Sequence, residues 1–222
     1  MASGTAKAAL FDALASVAQA LGSGRRAEIV DVLAQGERSV DELASEIDQS
    51  VANTSHHLQA LTRAGLLQSR RDGTRVFYSL ASERVGELWA ALRDVAAEHV
   101  AGIEKLTTAY LGDRREIEAI TRDELASRLQ RRNVIVIDVR PSAEYAAGHI
   151  PGARSLPPDE VRRHLRTIPK DSEIVAYCRG PFCAFAHEAV RKLARAGHTA
   201  RRLDEGWPEW RLAVEPEDQV PA

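Results

Sequence analysis

Apolar residues recur at intervals of three and four along the first part of the chain. This spacing is that of one face of an α-helix. The apolar positions are Leu10, Leu14, Val17, Leu21, Ile29, Val30 and Leu33. Because Gly22-Ser23-Gly24 interrupts the pattern, it predicts two consecutive helices.

Two further helices are predicted from their N-terminal residues. Ser39 with Glu42 three positions later forms a capping-box pattern, and Ser50 can cap a fourth helix that ends near Ala64-Gly65. The inward stripe predicted for that fourth helix consists of Val51, Thr54, Leu58 and Leu61. The small and polar residues between them therefore face outward.

A hairpin and a long helix follow. Residues 66–71 and 74–80 flank Asp72-Gly73, a two-residue turn signal that predicts a β-hairpin. A single helix is then predicted from Ser82 to Leu111, with the polar stretch Gly112-Asp113-Arg114-Arg115 after it. We therefore predict two domains, 1–112 and 113–222.

The second domain alternates short apolar runs with helical patterns, which indicates an α/β fold with a buried parallel sheet. The predicted strands and helices are helix 123–130, strand 134–138, helix 158–167, strand 173–177, helix 184–196 and strand 200–203. The first domain is instead mainly helical.

The composition excludes disordered, collagen-like and coiled-coil proteins. The 222 residues are 44% hydrophobic and 28% charged, with a net charge of −2, which is typical of globular proteins. No apolar run of about 18 residues occurs, and the first residues lack the pattern of a secretion signal. We expect a cytoplasmic protein that has no membrane partner.

The order of helices followed by a hairpin is that of a winged helix-turn-helix domain, in which one helix enters the major groove of DNA. Residues 49–80 carry four basic residues and one acidic, whereas residues 1–112 carry 11 basic and 14 acidic, so the positive charge is local. The candidate DNA-binding residues are Ser50, Ala52, Asn53, Ser55, His56, Gln59 and Arg63 on the helix, with Arg70, Arg71 and Arg75 on the hairpin.

The stretches 50–61, 64–67 and 70–78 resemble the recognition helix and wing of the ArsR-type winged-helix repressors. The resemblance covers about residues 8–100. It implies a homodimer, with the first and last helices of the domain at the interface, bound to double-stranded DNA at an imperfect inverted repeat. The alternative is a helical protein-interaction domain with a solvated arginine hairpin.

The sequence predicts no metal site and no cofactor. Adjacent helical residues point about 100° apart, so His56 and His57 are not expected to bind the same metal ion. Metal-sensing relatives carry cysteines where this chain has residues 37–43, which include none, and His99 stands alone on its helix. Sensing is therefore expected in the second domain.

The only two cysteines, Cys178 and Cys183, lie five positions apart between a predicted strand and a predicted helix. They are too close to cross-link a fold, so their role is expected to be local chemistry. Converging loop amides and a helix N-terminus stabilise an anion and lower the pKa of a thiol. A thiolate can accept a sulfane sulfur as a persulfide, which is also an anion.

Residues 116–213 resemble a rhodanese domain. The resemblance rests on the segments 137–140, 144–145, 148–153, 178–183 and 205–210. It implies that Cys178 is the sulfur-accepting nucleophile and that Asp138 and Arg140 order the floor of the site. The positive charge of Arg179 itself favours an incoming sulfur donor such as thiosulfate or polysulfide. The rest of the loop consists of Arg179, Gly180, Pro181, Phe182 and Cys183.

Two positions depart from related proteins. Ala184 stands where phosphatases and arsenate reductases of this fold need arginine, which argues against phosphate chemistry. Cys183 stands where sulfurtransferases commonly have a hydroxyl residue, and we predict that it attacks a persulfide or sulfenate on Cys178 to give a disulfide or sulfur-bridged link. The alternatives are a small packing residue and a zinc site that would use His187.

Three functions remain open from the sequence. The first is a repressor whose DNA occupancy depends on the state of the two cysteines, with coupling through the helix 82–111. The second is a rhodanese-type sulfurtransferase that the winged helix localises or dimerises. In the third, the Cys178 loop only binds an oxyanion.

Overall fold

The computed structural model describes residues 2–113, 117–130, 134–164 and 167–213. The chain forms two compact units, Met1–Leu92 and Arg93–Ala222. The predicted features at Arg114-Arg115 lie outside the described residues, as does part of the predicted helix 158–167. The boundary after residue 112 remains a prediction. Among the described residues, no helix has both the length and the apolarity needed to cross a membrane.

The first unit is mainly helical and carries a small antiparallel sheet. Its elements are α1 (Ala2–Leu21), α2 (Gly24–Leu33), β1 (Arg38–Ser39), α3 (Val40–Glu46), α4 (Val51–Arg63), β2 (Leu67–Asp72), β3 (Arg75–Leu80) and the first part of α5 (Glu83–His99). The strands lie in the order β1-β3-β2. This arrangement confirms the predicted winged helix-turn-helix order.

The hairpin is displaced by one residue from the prediction. Asp72 pairs with Arg75, so Gly73 and Thr74 make the turn instead of Asp72 and Gly73. Gly73 has a φ of 58°, in the left-handed region that glycine adopts without strain. The glycine therefore sets the turn, as the sequence suggested, but it occupies the first position of the two-residue connection.

Both predicted N-terminal caps are present. The Ser39 side chain accepts a hydrogen bond from the Glu42 amide, and the Glu42 carboxylate accepts one from the Ser39 amide. Ser50 caps α4 by accepting from the Asn53 amide. The Glu42 carboxylate consequently has a lowered pKa, chiefly through the Ser39 amide.

The core of the first unit includes most of the predicted inward positions. Thr54, Leu58 and Leu61 are fully buried on α4, and they pack with residues of α2 and α3 such as Ile29 and Leu43. Val51 was predicted to face inward but is 48% exposed. Its position in the first turn of α4 explains the error, since the start of a helix extends beyond the elements that cover its middle.

The single helix predicted from Ser82 to Leu111 is wrong. The structure has α5, which ends at His99, and a separate helix α6 (Ile103–Leu111). Gly102 between them has a φ of 86°, a conformation that does not continue an α-helix. The apolar period continued across this glycine, and periodicity alone therefore missed the break.

The second unit contains the end of α5, then α6, and an α/β domain. Its further elements are β4 (Ala119–Ile120), α7 (Arg122–Gln130), β5 (Val134–Asp138), α8 (Ser142–Ala147), β6 (Arg154–Ser155), α9 (Val161–His164), β7 (Glu173–Tyr177), α10 (Ala184–Arg195), β8 (Thr199–Leu203) and α11 (Trp207–Ala213). The parallel sheet predicted from the sequence is present, in the order β4-β8-β7-β5-β6.

The three predicted strands are the inner strands of this sheet, β8, β7 and β5. The two edge strands, β4 and β6, have two residues each and give no apolar run that a sequence pattern could detect. Both faces of the sheet are covered by apolar clusters, with Ile137 and Ile174 in one and Val136 and Val175 in the other. The carboxyl ends of β5 and β7 therefore lie at one edge of a sheet that is covered on both faces.

Candidate functional site

The predicted DNA-binding residues of α4 share its outer face. Ser55 is half-buried and the others are exposed: Ser50, Ala52, Asn53, His56, Gln59 and Arg63. The Asn53 side-chain amide donates a 2.6 Å hydrogen bond to the Gln49 carboxamide oxygen. This bond holds the Asn53 side chain at the N-terminal end of the helix, where a recognition helix commonly contacts base edges.

The adjacent histidines of α4 have different environments. His56 is exposed, whereas His57 is half-buried and its Nδ1 atom has no hydrogen-bond partner among the described residues. Burial lowers the pKa of His57, and the positive charges of Arg26 and Arg25 lower it further. His57 is therefore a packing residue held in its neutral form, and only His56 faces outward with the candidate contacts.

The wing consists of β2, β3 and their turn, and its three arginines differ in their contacts. Arg70 donates from Nε to both carboxylate oxygens of Glu37, at 3.0 and 2.8 Å, and its guanidinium lies 4.7 Å from the centre of the Phe77 ring. The hydrogen bonds to Glu37 raise the pKa of Arg70. Arg71 and Arg75 are exposed.

Arg70 thus differs from the other two wing arginines. Its charge is compensated by Glu37 and faces Asp72 at 3.5 Å, so it ties the wing to the segment before β1. Sequence reasoning missed Glu37 as a partner because it lies 33 positions from Arg70. Sequence alone gives no signal for such a pairing.

The sulfur loop, residues 178–183, joins the end of β7 to the start of α10. Cys178 is 2% exposed, and the five following residues are half-buried. Cys178 and Cys183 are joined by a disulfide, with their Cα atoms 6.2 Å apart. The Cys183 amide donates to the Gly180 carbonyl at 3.2 Å, so the loop turns back on itself between the cysteines.

Arg179 is bound to a buried acid. Its Nε donates to both carboxylate oxygens of Glu144 on α8, at 3.1 Å each, and Glu144 is completely buried. The Glu144 carboxylate therefore compensates the charge that was expected to attract a sulfur donor. The pairing ties the loop to α8, and the sequence offered Glu144 only as part of the rhodanese resemblance.

Asp138 and Arg140 lie beneath the loop, at the end of β5. Both are fully buried and form a 2.6 Å ion pair, and Arg140 also donates to the Gly148 carbonyl at 2.7 Å. The Tyr177 hydroxyl donates to Asp138 at 2.6 Å and accepts from the Ile150 amide at 3.0 Å. This network satisfies a buried charge pair with several hydrogen bonds, as such pairs require.

Tyr177 is the residue of this network that the sequence did not single out. Burial raises its pKa, and the neighbouring Asp138 carboxylate raises it further. The hydroxyl therefore stays protonated and can donate to Asp138 over the physiological range. Because Tyr177 immediately precedes Cys178, it links the floor directly to the sulfur loop.

The segment after β8 packs against the other side of the loop. The Trp207 amide donates to the Cys178 carbonyl at 3.1 Å. A Cβ atom on Gly206 would lie only 2.3 to 2.5 Å from backbone atoms of Arg179 and Gly180, so only glycine fits there. Backbone contact therefore joins the loop to the start of α11.

Comparison with known proteins assigns both parts of the chain. Residues 23–69 match the arsR family of bacterial regulatory proteins, and residues 121–213 match the rhodanese-like domain. The HTH-type transcriptional regulator Rv0324 of Mycobacterium tuberculosis is 46% identical over 213 residues, which cover 96% of this chain and 93% of that protein. A sulfurtransferase of Allochromatium vinosum is 34% identical over 83 residues, 37% of this chain and 76% of that protein.

Among solved structures, a homodimeric winged helix-turn-helix DNA-binding domain from Mycobacterium bovis is 47% identical and covers 42% of this chain and 87% of that chain, with a TM-score of 0.41. The relative that matches over nearly the whole chain is a regulator, and both family matches fall where the structure has the corresponding folds. The chain therefore belongs to the HTH-type transcriptional regulators of the ArsR family, with a rhodanese-like domain as its C-terminal part.

Proposed function

We propose that the chain is a homodimeric repressor that senses reactive sulfur through Cys178 and Cys183. DNA binding by the first unit is regulated by the chemical state of the sulfur loop in the second. The observation that carries the proposal is the bond between the two sulfur atoms, with Cα atoms 6.2 Å apart. That separation lies within the range of about 4.4–6.8 Å that a disulfide spans.

The DNA-binding part rests on the outer face of α4 and on the wing. Polar side chains on α4 can donate to and accept from base edges, and Arg71 and Arg75 can bind phosphates. A repressor acts where the DNA is, so we place the protein in the cytoplasm. The boundary after residue 112 remains part of the proposal, and it lies between the two family matches, which end at 69 and begin at 121.

The homodimer rests on apolar side chains that the single chain leaves exposed. Leu14 on α1 is 62% exposed, and Leu106 and Tyr110 on α6 are 67% and 70% exposed. Other exposed apolar residues on the same helices and on α5 are Leu10, Phe11, Leu88, Leu92 and Val95. Burying these faces against a second copy would remove apolar surface from water and give two recognition helices for an inverted repeat.

The sulfur chemistry is proposed in two steps. The Cys178 thiolate attacks the sulfane sulfur of polysulfide or thiosulfate, forming one S–S bond while the donor's S–S bond breaks. The donor leaves with that electron pair, as a polysulfide one sulfur shorter or as sulfite. The Cys183 thiolate then attacks the inner sulfur of the protonated persulfide, which forms the disulfide and expels the outer sulfur as HS⁻.

Intact mass and DNA titration on the same samples test this function. After anaerobic exposure of the reduced chain to polysulfide, we expect the wild type to lose the mass of two hydrogen atoms. Cys183→Ser should instead retain one added sulfur, and Cys178→Ser should remain unchanged. At fixed salt, the affinity of the wild type for its promoter should differ between the reduced and treated forms. Equal affinity of the two forms would contradict sensing.

A second candidate function is catalytic sulfur transfer. The rhodanese-like match and the similarity to the sulfurtransferase of Allochromatium vinosum favour it. Steady turnover with thiosulfate and a thiol acceptor would support an enzyme, whereas a sensor needs to load sulfur once. Under the sensor proposal, Cys183 diverts the persulfide, so Cys183→Ser should transfer more sulfur to the acceptor than the wild type does.

A further inference from the structure

A buried ion pair lies beside the sulfur loop, within the second unit. Arg93 donates from its guanidinium to the Glu209 carboxylate on α11, and the two side chains are 8% and 13% exposed. Neither residue belongs to the set assigned to DNA binding or to sulfur chemistry. A salt bridge this shielded from water has an energy sensitive to small displacements, because the charges are poorly screened.

Glu209 is connected to the loop by a short series of contacts. Its second carboxylate oxygen accepts a 2.9 Å hydrogen bond from the Gly206 amide. Gly206 in turn touches the backbone of Arg179 and Gly180 so closely that a Cβ atom would overlap it. Gly206 is therefore in contact with both the loop backbone and the Glu209 carboxylate.

Arg93 also touches the loop directly. A Cβ atom on Gly180 would lie 3.1 Å from the Arg93 Nη1 atom, which shows that the guanidinium packs against the loop at that position. Gly180 has a φ of 155°, a conformation that glycine adopts more readily than other residues. Both ends of the ion pair are therefore in contact with the segment that carries the reactive cysteine.

Arg93 belongs to helix α5, whose earlier turns belong to the first unit. Trp89, four positions before Arg93, donates a 2.7 Å hydrogen bond to Asp31 on α2, and Val85 is buried in the core of that unit. Residues four apart in a helix are neighbours on one face. Trp89 therefore anchors α5 in the first unit, and Arg93 is the first residue of the second.

We propose that the Arg93–Glu209 ion pair transmits the chemical state of the sulfur loop to helix α5. The inference rests on the proposed function and names the contact that regulation uses. Closing the Cys178–Cys183 bond, or adding a sulfur atom to Cys178, moves the loop backbone at Arg179 and Gly180. The ion pair moves with the loop backbone or breaks. Either change displaces Arg93 and so shifts the equilibrium of α5 between two arrangements.

The test measures sulfur loading and DNA affinity separately in the full-length chain. Arg93→Gln and Glu209→Gln remove the ion pair while keeping hydrogen-bonding side chains, and Arg93→Lys retains the charge. Arg84→Gln is the matched control, since it removes an exposed arginine from the same helix. Each protein is treated with polysulfide, its added or lost mass is recorded, and its affinity for a promoter fragment is compared with that of its reduced form.

We expect the wild type and Arg84→Gln to change affinity by tenfold or more between the two states. Arg93→Gln and Glu209→Gln should load sulfur to the wild-type extent, which also reports a folded loop, but change affinity less than twofold. Arg93→Lys should recover part of the response. A wild-type response in both Gln variants would overturn the inference and leave the proposed function standing. Normal loading without any response in the wild type would overturn both.

Discussion

The two units hold their candidate functional side chains in opposite ways. On α4 and the wing, the residues assigned to DNA are mostly exposed, and their positions depend on helix geometry and a hairpin turn. Around the sulfur loop, the side chains are buried and joined by ion pairs, as for Asp138 with Arg140 and Glu144 with Arg179. Side chains that bind the charged surface of DNA must be exposed, whereas side chains that hold a reactive sulfur atom must be fixed by their neighbours.

This contrast has a consequence for mutation. An exposed contact residue can be replaced without disturbing the unit that carries it, so the loss appears in binding. A buried charged residue leaves its partner uncompensated when it is removed, so the loss appears first in stability.

The largest effect is expected from Asp138→Ala. The change leaves the Arg140 guanidinium buried without its carboxylate and removes the acceptor of the Tyr177 hydroxyl. Breaking such a pair costs about 3–5 kcal/mol, and chemical denaturation followed by far-UV circular dichroism measures it. The control Asp171→Ala removes an exposed carboxylate from the same unit and should cost below about 0.5 kcal/mol. Similar losses in the two variants would contradict the assigned role of the buried network.

An intermediate effect is expected at the DNA-binding surface. Asn53→Ala should reduce discrimination between the operator and unrelated DNA by about 1–3 kcal/mol, because a base-edge contact is lost. Arg71→Gln should weaken binding to all sequences and lower the slope of log affinity against log salt by about one. Both are measured by titrating labelled DNA at several salt concentrations.

Arg70→Gln sharpens this comparison within the wing. The Arg70 guanidinium is already bound to Glu37. We therefore expect Arg70→Gln to change the slope of log affinity against log salt concentration less than Arg71→Gln does. The two variants remove the same charge from neighbouring positions of one strand and are therefore matched. An equal loss of slope in both would show that DNA phosphate displaces Glu37.

The smallest effect is a pH dependence at His57. Its pKa is lowered in the folded chain, so below the unfolded value of about 6.5 the unfolded chain binds a proton that the folded chain resists. Stability therefore falls as the pH drops from about 6.5 towards the folded pKa. His57→Gln should lose less stability than the wild type between pH 7 and pH 5 in thermal melts.

Much of the fold could be predicted because local patterns carried it. Capping residues gave the starts of α3 and α4, and β-branched runs gave β5 and β7, two of the inner strands of the parallel sheet. Periodicity failed at Gly102, where one backbone conformation ends a helix while the apolar pattern continues. The strands β4 and β6 were missed because two residues are too few to give an apolar run.

The sequence by itself determined the two fold classes, the outward face of α4 and the position of Cys178 between a strand and a helix. These follow from residue type and from spacing over a few positions. Only the tertiary structure decided that Arg70 binds Glu37, that Arg179 binds Glu144, and that Arg93 meets Glu209. Such pairs join residues tens of positions apart, and their geometry exists only once packing has brought separate elements together.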